Sequence, residues 1–225
     1  LKRWLELLLR AAASLPAADA SVALDGWVGV QEIAAEAPTE AGRRAVSAAL
    51  APLLGTMLET VLRLTTVPDG FLDVLTAADR DDFALLREDM RNLLRASLHG
   101  AGEVATAARR LHDLIASHLP PDDGAPPPEG SWVAVEVALH AASALAKPLG
   151  AQSCAPLSAM MTEQVPRAFA LARRLLEASP PHPFGRPLLC TALIFVSAYA
   201  SWLGGLGPFG RPPLERCAEV QAVLP

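Results

Sequence analysis

The chain has 225 residues, which is enough for one large domain or for a run of stacked repeats that share a continuous core. Hydrophobic residues make up 52% of the sequence and aromatic residues 5%, so the apolar content comes mainly from Ala, Leu and Val. This composition suits close helix packing better than sheet surfaces and predicts an all-α fold. The formal net charge of −5 argues against direct binding of nucleic acid, which needs a basic surface. A protein partner fits the charge better.

The cysteines and histidines give no pattern of a metal or catalytic centre. Cys154, Cys190 and Cys217 are widely spaced and form no C-x-x-C pair, which argues against a disulfide framework and a zinc site and favours a reducing compartment. The histidines form no i, i+4 pair, and no G-x-S-x-G sequence occurs. The histidines are His99, His112, His118, His140 and His182. We therefore predict that the protein is not an enzyme and uses no metal or cofactor.

Apolar side chains at helical spacing begin near the N-terminus. They predict an amphipathic helix over residues 2–14 and a short helical piece over 26–36. Thr39 then opens a long amphipathic helix over 43–64, which Pro52 should kink because proline lacks the N–H that the helix needs. Since the chain starts at Leu1 without a Met and ends inside an amphipathic pattern, we expect it to be a segment of a longer protein.

The middle of the chain predicts two further helices. The first covers residues 81–98 and follows the acidic run 79–82, whose negative charge suits a helix N-terminus. His99 and Gly100 are expected to end this helix as a left-handed cap. The second covers 103–118. The proline-rich sequence that comes next predicts a loop before the following helix.

The helix expected at residues 131–147 has the clearest packing pattern of the chain. Ser131 is expected to cap it, Glu136 is its single acid, and Pro148 should stop it. Its apolar side chains recur every three or four residues and predict one buried stripe, formed by Trp132, Val135, Leu139, Ala142 and Leu145. These features indicate a packing helix without reactive groups.

The C-terminal third is also helical in pattern. A helix is expected over residues 155–178, with a kink or break near Gln164–Val165 because Pro166 follows. A very apolar helix over 188–203 comes next, and another helix starts near 213. Residues 188–207 carry no charge, so a membrane span is an alternative, but the polar Thr and Ser side chains and two adjacent glycines favour a buried soluble helix.

Taken in pairs, these helices repeat every 50 to 60 residues or so, close to the roughly 40 to 47 of a two-helix HEAT unit. The pairs span 43–98, 103–147 and 155–203, and a new pair starts at about 213. Such a pair cannot bury its apolar face alone and must stack on its neighbours. The sequence therefore predicts that residues 1–225 form a single α-solenoid segment of antiparallel helix pairs.

Two sequence features invite a functional interpretation. Residues 205–210 match G-x-G-x-x-G, but Pro208 lies within the turn and no acidic ribose ligand follows, so we predict a loop between helices. Arg87, Arg91 and Arg95 recur at i, i+4 and i+8, and we refer to these three residues as the arginine stripe. Three guanidinium groups on one face bind carboxylates or phosphates, whereas local pairing with nearby Glu88 or Asp89, or a salt bridge to the next repeat, explains the same spacing.

Three motifs in order resemble the central HEAT repeats of the importin-β (karyopherin-β) superfamily. They are Phe83-x-x-Leu86-Arg87-x-x-Met90-Arg91-Asn92-Leu93-Leu94, then Trp132-x-x-Val135-Glu136-Val137-Ala138-Leu139, and finally Tyr199-x-x-Trp202-Leu203. The order and spacing are most similar to the transportin-SR and importin-thirteen branch over residues 43–223. Two departures from the pattern are Val137, where alanine is common, and the long proline-rich loop at 120–130.

The resemblance implies a nuclear transport receptor that shuttles between nucleus and cytoplasm. Its expected partners are a protein cargo, nucleoporins, and the small GTPase Ran through other parts of the full-length protein. The second helices of the pairs usually line the concave side in this family, so the resemblance makes Arg87, Arg91 and Arg95 candidate contacts to an acidic or phosphorylated cargo segment. No membrane insertion is implied. The alternative function is a HEAT-repeat scaffold that assembles protein complexes without transport.

Overall fold

The computed structural model describes residues 2–15, 17–36, 39–68, 71, 74–101, 103–120, 130–146 and 155–200. Over these residues the regular structure is entirely helical and contains no strand, which confirms the predicted all-α class. The chain divides into two compact units. The first consists of Leu1–Thr65 and Leu75–Ala107, and the second consists of Thr66–Val74 and Ala108–Pro225.

The helices of the first unit begin and end as follows: α1 Lys2–Ser14, α2 Ala17–Ala35, α3 Glu40–Leu50, α4 Leu54–Thr65 and α5 Ala77–Ala101. In this unit α1 packs on α2 and α4, and α5 packs on α2, α3 and α4. The fully buried Trp27 of α2 donates its indole Nε1–H to Ser97 Oγ of α5 at 3.1 Å. Arg63 of α4 donates to the Ala12 carbonyl near the end of α1 at 2.5 Å.

Helix α2 is much longer than the piece expected at residues 26–36, because it begins at Ala17. Its first half contains alanines, which are strong helix formers, and Asp19 places a negative charge in the first turn. Pro16 precedes it in the sequence, a position where proline does not interrupt a helix. Helix propensity and the favourable charge in the first turn therefore account for the start of α2 better than an apolar stripe does.

The predicted kink at Pro52 is confirmed. A single 3₁₀ turn at Ala51–Leu53 separates α3 from α4, as expected where proline lacks an N–H donor. Thr39 caps α3 by accepting a hydrogen bond from the Gly42 N–H at 3.1 Å. Among the described residues, the helical stretch Glu40–Thr65 is the one that is long and apolar enough to cross a membrane. Core helices of soluble proteins also meet these criteria, so the finding is weak support for a span.

Helix α5 differs from its predicted bounds of 81–98 at both ends. It begins at Ala77 because Thr76 and Asp79 form reciprocal caps: the Asp79 N–H donates to Thr76 Oγ1 at 3.2 Å, and the Thr76 N–H donates to Asp79 Oδ2 at 3.0 Å. His99 and Gly100 do not end the helix, which continues to Ala101. The Glu103 N–H closes this end by donating to the Leu98 carbonyl at 3.3 Å, the long bond of a Schellman-type terminus.

The second unit contains most of α6 Val104–His118, then α7 Ser131–Ser143, α8 Ala155–Ala159, α9 Val165–Glu177 and α10 Gly185–Ala198. A π-helical turn at Met160–Gln164 joins α8 to α9. This turn confirms the break expected near Gln164–Val165, because Pro166 removes a donor from the regular helical ladder. Helix α10 begins earlier than the predicted residue 188. Trp202, Leu203 and the helix expected from residue 213 lie outside the described residues.

Two expectations for α7 are wrong. Ser131 does not cap the helix: Gly130 is the N-cap, with the positive φ of 77° that glycine adopts without strain, and Ser131 is the first helical residue. The burial is also not one stripe, because every residue from Val135 to Ser143 is buried. Val135, Leu139, Ala142 and Leu145 are fully buried as expected, but Trp132 is only half-buried. The surroundings of α7 therefore cover nearly its whole circumference.

Helices α7 and α10 lie side by side in the second unit. Glu136 of α7 contacts Thr191 of α10, and Tyr199 at the end of α10 donates to the Ala142 carbonyl of α7 at 2.9 Å, so α7 and α10 run parallel. Gln164 of the π-helical turn donates to the His112 carbonyl of α6 at 3.0 Å, and Arg167 of α9 donates to the Pro120 carbonyl just after α6 at 2.5 Å. Helices α9 and α10 are consecutive in the chain and pack against each other.

Candidate functional site

The arginine stripe lies on the middle of α5, which is continuous from Ala77 to Ala101. Arg87, Arg91 and Arg95 therefore share one helix face, as their spacing predicts. All three side chains are half-buried. Beside them, Met90, Leu93 and Leu94 are directed into the core of the first unit, and this packing fixes the orientation of the helix.

Arg87 lies over an aromatic ring. Its guanidinium carbon is 5.7 Å from the centre of the Phe83 ring, one turn earlier on α5. The ring face is electron-rich and attracts a cation at this distance. Phe83 is itself half-buried. The aromatic side chain thus orients the first arginine of the stripe.

Glu88 links the other two arginines into one network. It forms an ion pair with Arg91 and accepts a hydrogen bond from Asn92 Nδ2 at 3.3 Å, while Arg95 donates to Asn92 Oδ1 at 3.0 Å. The hydrogen bond from Arg91 is the main reason that the pKa of Glu88 is below its ordinary value. Asp89 is exposed and, among the described residues, forms no ion pair with the stripe.

The Nε atoms of Arg91 and Arg95 are buried and have no hydrogen-bond partner. Glu88 pairs with Arg91, and the other two guanidinium groups of the stripe lie on the same helix face. A carboxylate or phosphate that binds here competes with Glu88 for Arg91, which makes a multivalent anion a better ligand than a single carboxylate.

Asn92 and Phe83 are the parts of this site that the sequence interpretation did not assign. Asn92 lies four residues after Glu88, a spacing at which two side chains meet on a helix, and Phe83 lies four residues before Arg87. These spacings are the signal that identifies both neighbours. The pairing of the stripe with Glu88 that the sequence suggested is present for Arg91. In addition, the amide of Asn92 bridges Glu88 and Arg95, which the sequence interpretation did not include.

The possible metal ligands are scattered over the described part of the chain. Within it, no group of three His, Cys, Asp or Glu side chains lies together in a way that could hold a metal ion. Cys190 is exposed and carries a free thiol. Cys154, Cys217 and the glycine-rich sequence at 205–210 lie outside the described residues.

Comparison with protein-family models, with curated proteins and with solved structures found no match to this chain.

Proposed function

We propose that the chain is a segment of an α-solenoid nuclear transport receptor that binds a protein cargo. The observation that carries the proposal is the parallel packing of α7 and α10 in the second unit. In a solenoid of helical hairpins, the first helices of successive repeats run parallel, and so do the second helices. Together with the three sequence motifs, this arrangement supports a HEAT-type array.

The hairpins follow the same order in the first unit. Helices α1 and α2 are consecutive and packed together, and α4 is packed on α5. Arg63 near the end of α4 contacts the Ala12 carbonyl near the end of α1, as two parallel first helices would. This pattern adds a pair, α1 with α2, ahead of the pair expected at residues 43–98. The proposed array thus includes the first described helix.

The arginine stripe is the proposed cargo contact. It lies on α5, the second helix of its pair, and presents three half-buried guanidinium groups on one face. The proposed ligand is an acidic or phosphorylated segment, because several negative charges are needed to displace Glu88 from Arg91. In this role the protein shuttles between nucleus and cytoplasm, and Ran and nucleoporins bind elsewhere in the full-length protein.

The stripe is tested by reversing its charge in the full-length protein. The variant Arg87→Glu/Arg91→Glu/Arg95→Glu should lose cargo in a pull-down from cell extract. The matched control reverses three exposed arginines elsewhere, Arg109, Arg110 and Arg174, with the same change in net charge, and should retain cargo. Equal binding by both variants would remove the stripe from the proposal.

Transport and scaffolding are separated by adding Ran. If the protein is an import receptor, the GTP-bound GTPase displaces the bound cargo, and if it is an export receptor, the GTPase strengthens cargo binding. The alternative function, a HEAT-repeat scaffold without transport activity, predicts cargo binding that is the same with and without the GTPase. The same cargo-binding assay with GDP-bound Ran gives the baseline.

A further inference from the structure

We propose that His182 is a pH-sensitive switch at the start of α10. While its ring is neutral, the ring accepts a backbone N–H of the helix terminus, and protonation of the ring releases that N–H. Three hydrogen bonds join His182 to the helices on either side. Its own N–H donates to the Leu175 carbonyl of α9 at 2.8 Å. Its carbonyl accepts the Gly185 N–H at 3.1 Å, and its ring nitrogen Nδ1 accepts the Phe184 N–H at 3.3 Å.

The ring of His182 also joins α7 to this junction. Its centre lies 4.5 Å from that of the Trp132 ring, in an edge-to-face arrangement, and 5.9 Å from that of the Phe184 ring. Trp132 lies in the first turn of α7, and Phe184 is the N-cap of α10. A change at this one imidazole is therefore felt where three helices of the second unit meet. A switch of this kind is independent of the proposed transport role.

The hydrogen bond from Phe184 requires one protonation state of the ring. A backbone N–H is only a donor, so Nδ1 must carry a lone pair, and the proton of the neutral ring is on Nε2. Histidine is the side chain whose charge ordinarily changes between about pH 5 and about pH 8. A proton on Nδ1 turns the acceptor into a donor. The Phe184 N–H then has no partner in the ring.

The charges on α9 and α10 do not compensate a positive ring. The N-terminus of α10 carries the partial positive charge of the helix macrodipole, and Arg186 lies in its first turn. Near the end of α9, Glu177 is paired with Arg173 at 3.9 Å, and Arg174 is exposed next to Arg173. Among the described residues, no carboxylate forms an ion pair with His182. Protonation therefore removes a hydrogen bond from the start of α10 without forming an ion pair there.

The ionisable groups of α7 lie beyond its first turn. Glu136 and His140 are one and two turns after Trp132, and both are buried. Glu136 accepts the Thr191 hydroxyl. The indole of Trp132 attracts a positively charged ring, so the contact between these two rings is expected to survive protonation. It supplies no acceptor for the Phe184 N–H, because the indole N–H is only a donor. The predicted loosening is therefore confined to the first turn of α10.

The test measures hydrogen exchange of the Phe184 amide in the whole chain by nuclear magnetic resonance. Each rate is divided by the rate of an unstructured peptide at the same pH, so that only protection by structure is compared. From about pH 8 to about pH 5, the protection of Phe184 should fall by roughly two- to tenfold, the loss expected for one neutral hydrogen bond. The amide of Ala192, which is buried in the middle of α10, is the internal control and should keep its protection.

His182→Asn is the matched variant, because an asparagine side-chain oxygen accepts an N–H two residues further on but does not titrate. Its Phe184 amide should be equally protected at both pH values. The switch is refuted if wild-type Phe184 keeps its protection in acid, or if Ala192 loses as much, since the whole helix then loosens. This comparison of two amides needs no variant. A fall at Phe184 that persists in His182→Asn would assign the effect to another group and would also overturn the proposal.

Discussion

Thr191 on α10 donates its hydroxyl hydrogen to Oε1 of Glu136 on α7, and both side chains are buried, at 5% and 2% exposure. Fifty-five residues of sequence separate them. A buried carboxylate is costly unless it is hydrogen-bonded, so this contact selects the one register in which α7 and α10 pack in parallel.

Thr191→Val should lower the free energy of unfolding by about 1–3 kcal/mol, because it leaves the Glu136 oxygen without this donor at nearly constant side-chain volume. Glu136→Met should also destabilise, but the double variant should lose less than the sum of the two. Urea unfolding of all four proteins gives the coupling energy, expected between about 0.5 and 3 kcal/mol. Additive single effects would show that the two side chains do not interact.

Trp27→Ala should destabilise the first unit by roughly 3–5 kcal/mol, since it removes a fully buried indole and its hydrogen bond to Ser97. Trp4→Ala, at a tryptophan that is 47% exposed on α1, is the comparison and should cost clearly less, about 1–2 kcal/mol. Both values come from denaturant unfolding followed by circular dichroism. Similar losses at the two positions would contradict the packing of α2 on α5.

Thr39→Ala should cost about 0.5–2 kcal/mol, because the first turn of α3 loses the acceptor of the Gly42 N–H. The control is Ser14→Ala near the end of α1, where the hydroxyl donates only to carbonyls of its own helix and little is lost. Amide hydrogen exchange should show faster exchange in the first turn of α3 alone. Uniform acceleration across α3 would mean that the cap is not the cause.

The free energy of unfolding should decrease as the pH falls, because Glu88 becomes protonated and loses its ion pair with Arg91. Its pKa in the folded chain is below the ordinary 4.5, mainly because of Arg91, so the ion pair stabilises the fold above that value and is lost as the pH falls through the folded pKa. The stability difference between wild type and Glu88→Gln should therefore shrink between about pH 6 and about pH 3. The measurement is urea unfolding across this range.

Arg91→Met provides the matching control for Glu88. In this background, Glu88→Gln should lose most of its pH-dependent effect, because the main cause of the lowered pKa is gone. If the pH dependence of Glu88→Gln persists unchanged without Arg91, the ion pair is not its source. Asn92 then becomes the next partner to substitute, since it also donates to Glu88.

Local signals in the sequence were enough to predict most helices and both proline-induced breaks. Pro52 and Pro166 each lack an N–H, and a 3₁₀ turn and a π turn stand next to them. The arginine stripe was predicted on one helix face because its spacing alone decides this. The helix ends were less predictable: α5 runs past Gly100 because a single glycine costs a helix only about 1 kcal/mol.

By itself, then, the sequence determined the helical class, the breaks and the positions of the arginines, since these depend on propensity and spacing within a few turns. Tertiary structure alone decided which helices lie side by side, because contacts such as Glu136 with Thr191 join residues far apart in the chain. It also decided that Ser131 lies buried inside α7 instead of capping it, with Gly130 as the cap. No local pattern contains that information, because burial depends on what the rest of the chain places around a residue.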